Sequence, residues 1–401
     1  MKQLFRHAHA NVPFHRQKFD RLGLAPGAFR GLDDLHRIPI ANKSDITAQE
    51  HEALISETVN PENLILHCTS GTSGRPLRIY RSWHEERMLQ QLRWKVYLTY
   101  GWRPTMKRAK MDIPPRKNPG RILQALNRFG LMRSRPFRST APAEELIQGI
   151  ADYGPDILSG YPEGIAALAR ACRESEGGQI SPRHVCSGGG QLTQLARAQI
   201  LEAFPSAPVY DVYGSTEFNL LAWQCPETDY FHVSEEGMIL EVLDEDGCPV
   251  PEGARGQVVG TALHSFAMPL LRMPVGDMAV RGPEACPCGA GFATLGAISG
   301  RLSDLFTLSG GRTLHPFLVL DPLDTMKAEW LRRYRLVQTA RDHLVLELVA
   351  RPQPADREVS ELQASLSALI PNDIRLDIRF VERMPQESSG KFRLSVPLTD
   401  P

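Results

Sequence analysis

The feature that most constrains this fold is an alternation. Between residues 62 and 224, short apolar runs repeatedly give way to segments with apolar residues at helical spacing. "NLILHC" (63–68) reads as a buried strand and feeds the loop "TSGTSGRP" (69–76). Ser82-Trp83-His84-Glu85 then forms a capping box, in which a hydroxyl and a carboxylate satisfy free backbone donors. Met88, Leu89, Leu92 and Val96 follow at helical spacing, so the loop is expected between a strand and a helix. "DILSGYPEGIAALARACRE" (156–174) repeats the pattern, as does "HVCSGGGQLTQLARAQILEAF" (184–204) with Gly188, Gly189 and Gly190 at its turn. "PVYDVYGSTEFNLLAW" (208–223) is an apolar segment ending in a polar turn. Strands alternating with helices predict an α/β architecture. Ligands in such folds sit beyond the carboxyl ends of strands, where these turns fall.

The flanks differ. Residues 1 to about 60 read as helical and connective. Residues 237–263 carry strand-like runs broken by turn residues, which predicts antiparallel hairpins. "SGRLSDLFTLSGGRTLHP" marks a junction near residue 300. Beyond it "DHLVLELVA" is a strand, and Val359, Leu362, Leu366 and Leu369 mark one helix face. Ile374, Leu376, Ile378 and Phe380 alternate as in a half-buried strand. The expected division is a large domain, 1–300, and a small α+β domain, 301–401.

Lys plus Arg and Asp plus Glu number 46 each, so no basic surplus marks a nucleic-acid surface. Anionic small ligands need only local charge. No apolar run reaches the length of a signal-peptide core or a bilayer span. Seven cysteines scattered through 401 residues do not form a disulfide framework. A soluble, cytoplasmic protein with reduced thiols is expected.

Four turns carry residues suited to chemistry, and each has a plain alternative. In "TSGTSGRP" glycines let backbone N–H groups converge on phosphate oxygens, and Arg75 adds charge. A solvated flexible loop has the same composition. In "DVYGSTE" (211–217) a carboxylate at a strand-end turn suits magnesium, and Tyr213 suits stacking on a purine. A packed tyrosine and a capping glutamate are the alternative. Asp277 in "MPVGDMAV", after a glycine and before an apolar strand, suits the two hydroxyls of a ribose, and a turn aspartate at a strand start is the alternative. Lys391 in "SSGKFRL" sits on a glycine-hinged loop, as surface lysines often do.

The order of these motifs resembles the adenylate-forming superfamily, enzymes that make acyl-adenylates from a carboxylate and ATP. Its phosphate loop, Tyr-Gly-x-Thr-Glu segment, Gly-Asp pair, Gly-Arg-x-x-Asp hinge and C-terminal Gly-Lys find counterparts here. They are "TSGTSGRP", "YGSTE", Gly276-Asp277, "GRLSD" (300–304) and Ser389-Gly390-Lys391. "ANVPFHRQKFDRLGL" and "LDDLHRIPIANKSDI" look like the N-terminal part of phenylacetate–CoA ligase-like proteins, a subgroup that activates mainly aromatic acids.

The resemblance implies roles residue by residue. Thr69, Ser70, Gly71, Thr72, Ser73, Gly74 and Arg75 would hold the ATP β- and γ-phosphates. Gly188, Gly189, Asp211 and Tyr213 would frame the adenine. Gly214 and Ser215 belong to the same nucleotide-binding segment, whose Thr216 and Glu217 would hold phosphate and Mg²⁺. Asp277 and Arg301 would grip the ribose. Lys391 would bridge the attacking carboxylate and the α-phosphate. Fixed positive charge and magnesium would offset the repulsion between two anions. Two departures stand out: Ser303 occupies the usual acidic hinge position, with Asp304 following, and Gly189-Gly190-Gln191 replaces a Gly-Ala-Glu or Gly-Glu turn.

Cys225, His232, Cys286 and Cys288 offer three thiolates and an imidazole, a closed structural zinc set. The one-residue Cys-x-Cys gap is tighter than the usual spacing, and ordinary buried thiols with a surface histidine are the alternative. Similar pairs occur in some phenylacetate–CoA ligase-like proteins. Cys68, Cys172, Cys186 and Cys248 read as structural.

The implied function is ATP- and Mg²⁺-dependent activation of a carboxylate, aromatic by subgroup, followed by thioester formation with CoA. Transfer to an amine, hydroxyl or carrier-protein thiol is one alternative, and an inactive nucleotide-binding partner protein another. No nucleic acid or membrane partner is expected, and a homodimer is compatible with the sequence.

Overall fold

The structure, a computed structural model, describes residues 1–25, 27, 29–69, 76–111, 121–138, 141–175, 180–301, 305–326, 328–384 and 392–398. It divides into two compact units. The first contains Met1–Arg103 and Val212–Ser299, the second Pro104–Asp211 and Gly300–Pro401. One change of unit coincides with the junction expected near residue 300, while the preceding three hundred residues contribute to both units.

In the first unit the 237–263 region forms the expected hairpin. Met238–Leu243 pairs antiparallel with Arg255–Ala262, which pairs in turn with Met273–Arg281. The hairpin turn is local chemistry: Asp244 Oδ1 accepts from the backbone N–H groups of Asp246 and Cys248 at 3.0 and 2.8 Å. Phe231–Val233 pairs antiparallel with Ala222–Gln224, and the latter with Val212 and Tyr213. Ile46, Leu77, Phe218, Leu221, Val258 and Met273 share one buried core. The N-terminal helices Lys2–Asn11 and Pro13–Arg21 close a smaller core around Leu4, Phe5 and Phe19.

The capping box is present: Ser82 accepts from the Glu85 amide, and Glu85 returns to the Ser82 amide. The helix it starts spans Trp83–Thr99 and buries Leu89 and Val96. Two expectations fail just before it. Ile65–Cys68 is a strand, but its residues alternate between half-buried and exposed, with Leu66 48% exposed. It also pairs antiparallel with Arg78–Arg81, so a second strand stands between the loop and the helix. An edge hairpin tolerates exposed apolar side chains, and "RIYR" has too many charges to advertise itself as a strand.

The second unit holds a parallel sheet in the order His184–Gly188, Ile157–Gly160, Arg108–Met111, Ser134–Phe137. The helices Pro162–Glu174 and Gln194–Ala203 follow two of these strands, as expected. Ala109, Leu158, Ile165, Val185 and Ile200 fill the core between. The last hundred residues form a four-stranded sheet: Arg375–Phe380, His343–Ala350, Leu331–Ala340, Ser395–Val396. The helix Asp356–Ser367 buries Leu362 and Leu366. Asp324 attaches this part to the parallel layer. Its carboxylate accepts from the Gln194 and Leu195 amides at 2.8 and 3.1 Å, capping a helix start, and takes the Tyr334 hydroxyl at 2.9 Å. Arg333 pairs with Glu163 nearby at 2.7 Å.

Candidate active site

The turn after Tyr213 is braced from several sides. Tyr213 donates its hydroxyl hydrogen to Asp277 Oδ2 at 2.7 Å, joining two motifs 64 residues apart. Gly214 must be glycine, because a Cβ there would run into the Asn219 carbonyl. Ser215 Oγ accepts from the Phe218 amide at 3.2 Å and tightens the turn. Glu217 is only 3% exposed, and its carboxylate meets Lys43 Nζ at 2.8 Å. Lys43 also donates to the Val275 carbonyl at 2.9 Å, two residues before Asp277. A carboxylate this buried needs a cation beside it. Lys43 supplies one, and a divalent ion would supply another.

Two arginines hold the same turn from behind. Arg81, at the end of its strand, donates to the Thr216 and Glu217 carbonyls at 2.5 and 2.9 Å. Arg93 donates to the Asn219 carbonyl at 2.7 Å, and Asn219 takes a left-handed φ of 65°. Glu86 lies two helical turns before Arg93 on the same face. It contacts Arg81 at 3.4 Å and His67 at 3.1 Å. The hydrogen bond from His67 outweighs burial and holds Glu86 down to about 2. Burial lowers Arg81, with Glu86 opposing it.

In the second unit, Asp211 accepts from Ser187 Oγ at 2.5 Å beside Gly188. Gly189 has φ +78°, and a Cβ there would lie 2.9 Å from Tyr161 Cε1. This turn is therefore shaped by close approach and not by charge. Thr69 closes the base of its loop, with its amide donating to the Leu77 carbonyl at 3.0 Å and its Oγ1 accepting from the Leu77 amide at 2.9 Å. Ser70, Gly71, Thr72, Ser73, Gly74, Arg75, Leu302, Ser303, Asp304 and Lys391 lie outside the described residues, as does the side chain of Arg301.

The four metal-set residues come together in the first unit. The ligand atoms of Cys225, His232, Cys286 and Cys288 all lie within 4.8 Å of one another. His232 Nε2 is 3.4 Å from Cys288 Sγ. The Glu227 and Ala290 amides point at Cys225 Sγ and Cys288 Sγ at 3.4 and 3.5 Å. Burial raises the Cys225 thiol, but hydrogen bonds from Thr228 and the Glu227 amide outweigh it and lower its pKa. His232 is buried at 1% exposure, edge-on to Trp223 and stacked on Phe292, which corrects the surface-histidine alternative. Thiols, an imidazole and amide donors to sulfur suit a thiophilic ion.

Lys43, Arg81 and Arg93 escaped the sequence reading. Lys43 stood within a quoted segment and carried no assigned role. A lone cation in a charged stretch has no periodic signature, and only tertiary pairing distinguishes it.

The family described as AMP-binding enzyme matches residues 126–262. The phenylacetate-coenzyme A ligase of Thermus thermophilus is 28% identical over 321 residues, covering 77% of this chain and 70% of that protein. That of Escherichia coli is 26% identical over 325 residues, covering 77% and 71%. Among solved structures, 2-hydroxyisobutyryl-CoA ligase bound to 2-HIB-AMP superposes with a TM-score of 0.80 at 22% identity, over 100% of this chain and 88% of that one. An anthranilate CoA ligase bound to anthranoyl-AMP gives 0.59 at 18% identity, over 84% and 67%. The chain is similar to AMP-binding enzymes over residues 126–262 and to phenylacetate-coenzyme A ligases over about three quarters of its length, which supports the adenylate-forming superfamily.

Proposed function

We propose that this protein is an AMP-forming acid–CoA ligase: it activates a carboxylic acid with ATP, releases pyrophosphate and passes the acyl group to CoA. The phenylacetate-CoA ligases it resembles support an aromatic acid, and the bound 2-HIB-AMP of a structural relative supports an acyl-adenylate intermediate. The observation that carries the reading is the buried Glu217 carboxylate, facing Lys43 within a turn tied to Asp277 through Tyr213. Glu217 with Thr216 would hold magnesium and phosphate, and Asp277 the ribose. Magnesium would supply charge neutralisation of the polyphosphate. The Lys43 side chain is 40% exposed and would be placed to meet an anion. Arg301 on the ribose and Lys391 on the α-phosphate remain the assignments drawn from motif order. Residues 1–300 would form the adenylating part and 301–401 a mobile part.

Zinc bound by Cys225, His232, Cys286 and Cys288 would be structural, fastening the segment 222–233 to the turn 286–288. The seven cysteines form no disulfide among the described residues, which supports a reducing, cytoplasmic setting.

The test is a panel of aryl and alkyl acids assayed for pyrophosphate release, with products identified by mass spectrometry in the presence of CoA. An acyl-CoA product is expected. Release without any thioester would move the reading to another acceptor, and no acid-dependent release would overturn it. Lys391→Ala is expected to abolish release while leaving ATP binding within about threefold, since that lysine is assigned to the chemical step.

A further inference from the structure

The Thr216–Asn219 turn offers three of its carbonyls to two guanidinium groups, that of Arg81 buried and that of Arg93 half-buried, and neither arginine was needed to derive the reaction. Arg81 is 3% exposed and receives Glu86 on one side while donating to two successive carbonyls on the other. Arg93 takes the Asn219 carbonyl. The Nε of each arginine finds no hydrogen-bond partner among the described residues. A buried donor left unpaired is a cost to folding, so stability alone is a poor reason for these two cations. The geometry gives a better one. Carbonyls drawn toward the arginines are turned away from the side-chain face of the turn. Glu217 is then fixed by its own backbone and by Lys43 together. Glu86 extends the brace to His67, whose strand residue Cys68 is followed directly by Thr69. One carboxylate therefore links the turn that bears Glu217 to the strand that enters the phosphate loop.

We propose that Arg81, seated by Glu86 and His67 and assisted by Arg93, is a positioning residue that sets Thr216 and Glu217 for the magnesium–triphosphate complex. This rests on the adenylation reading of the same site. Arg81 touches no reacting atom; it acts through two peptide carbonyls. A small displacement of a group that positions charge costs about a hundredfold in rate.

The test compares wild type with Arg81→Met, Arg81→Lys and Glu86→Gln, using pyrophosphate release, MgATP binding by calorimetry and the magnesium dependence of the rate. Arg81→Met is expected to lower kcat about a hundredfold and to raise the magnesium needed for half-maximal rate about tenfold, with the KM for the carboxylate unchanged. Excess magnesium should restore part of the rate, which it would not do for a protein merely loosened. Arg81→Lys keeps the charge and one carbonyl bond and should recover about tenfold of the loss. Glu86→Gln should show the same magnesium shift in smaller measure, and it keeps the test open where Arg81→Met fails to fold. Variants whose rate falls with no change in magnesium dependence, or does not fall, would overturn the proposal. Wild type that binds no MgATP would overturn the adenylation reading itself, a distinct result.

Discussion

Two turns assigned to the nucleotide are built by opposite means. In the first unit, the turn after Tyr213 is held by charge: Lys43 on Glu217, Arg81 and Arg93 on three carbonyls, and Tyr213 on Asp277. In the second unit, the Gly188–Gly190 turn is held by shape, with Gly189 in a left-handed conformation under the Tyr161 ring. A charge-held turn places a carboxylate that must meet a cation, and it resists the repulsion that carboxylate creates. A shape-held turn presents backbone and leaves room. Substitutions should therefore act electrostatically in one and sterically in the other.

The strongest way to break this contrast is Glu217→Gln. It keeps the volume and removes the charge, so pyrophosphate release should fall about a thousandfold, near 4 kcal/mol of transition-state stabilisation. Folding should survive, read by the thermal midpoint. A loss below tenfold would make the charge-held turn a packing device only.

The proposed metal set sharpens the comparison from another side, because a bound ion would be a third means of fixing a turn. Prolonged chelation, or Cys286→Ser, should lower the thermal midpoint by about 10 °C, since a structural metal contributes several kcal/mol to folding. Metal analysis of the untreated protein should return one zinc per chain. An unchanged midpoint would leave the cluster as free thiols.

His15 tests whether the first unit depends on charge beyond its turn. Burial lowers its pKa from 6.5 to about 4, and its Nε2 is spent on the Pro269 carbonyl at 2.9 Å. The unfolded chain therefore binds the proton more readily. The stability contribution is complete above pH 6.5 and lost as pH falls toward 4, by about 3 kcal/mol. Urea midpoints across pH 7 to 4 should show this slope, and His15→Leu should flatten it.

The smallest expected effect belongs to the shape-held turn. Gly189→Ala forces a Cβ against Tyr161 at an unfavourable φ, and the turn must shift by a few tenths of an ångström. A loss of about 2 kcal/mol, near thirtyfold in rate, is expected. Tyr161→Phe should not relieve it, because the ring and not the hydroxyl is in the way. Added magnesium should not help either.

Much of this was legible in the chain. The alternation of "DILSGYPEGIAALARACRE" and "HVCSGGGQLTQLARAQILEAF" gave the right strand and helix at each place, because buried parallel strands and amphipathic helices have distinct periods. The Ser82–Glu85 box located a helix start directly. The strand Leu331–Ala340 was not legible. Its pairing shifts register between Leu331 and Arg333, so the alternation that marks a strand is broken at its start. The burial of Ile65–Cys68 was misread because an apolar run cannot say whether a second layer covers it. Lys43 and Arg81 stayed hidden for a further reason: the fold chooses their partners, the Glu217 carboxylate for Lys43 and the Glu217 carbonyl for Arg81, 174 and 136 residues away, and no local pattern encodes that choice.

Asp324 carries a practical consequence. A helix that starts at Gln194 is capped by Thr193 but relies on the last hundred residues for the partner of its first two amides, and Glu163 takes the Arg333 cation from the same source. A shortened chain stopped at residue 300 would leave two amide donors and a half-buried carboxylate bare beside the parallel layer. Cutting there does not yield an intact piece of the enzyme, so crystallographers and engineers who trim this chain should replace what the cut removes.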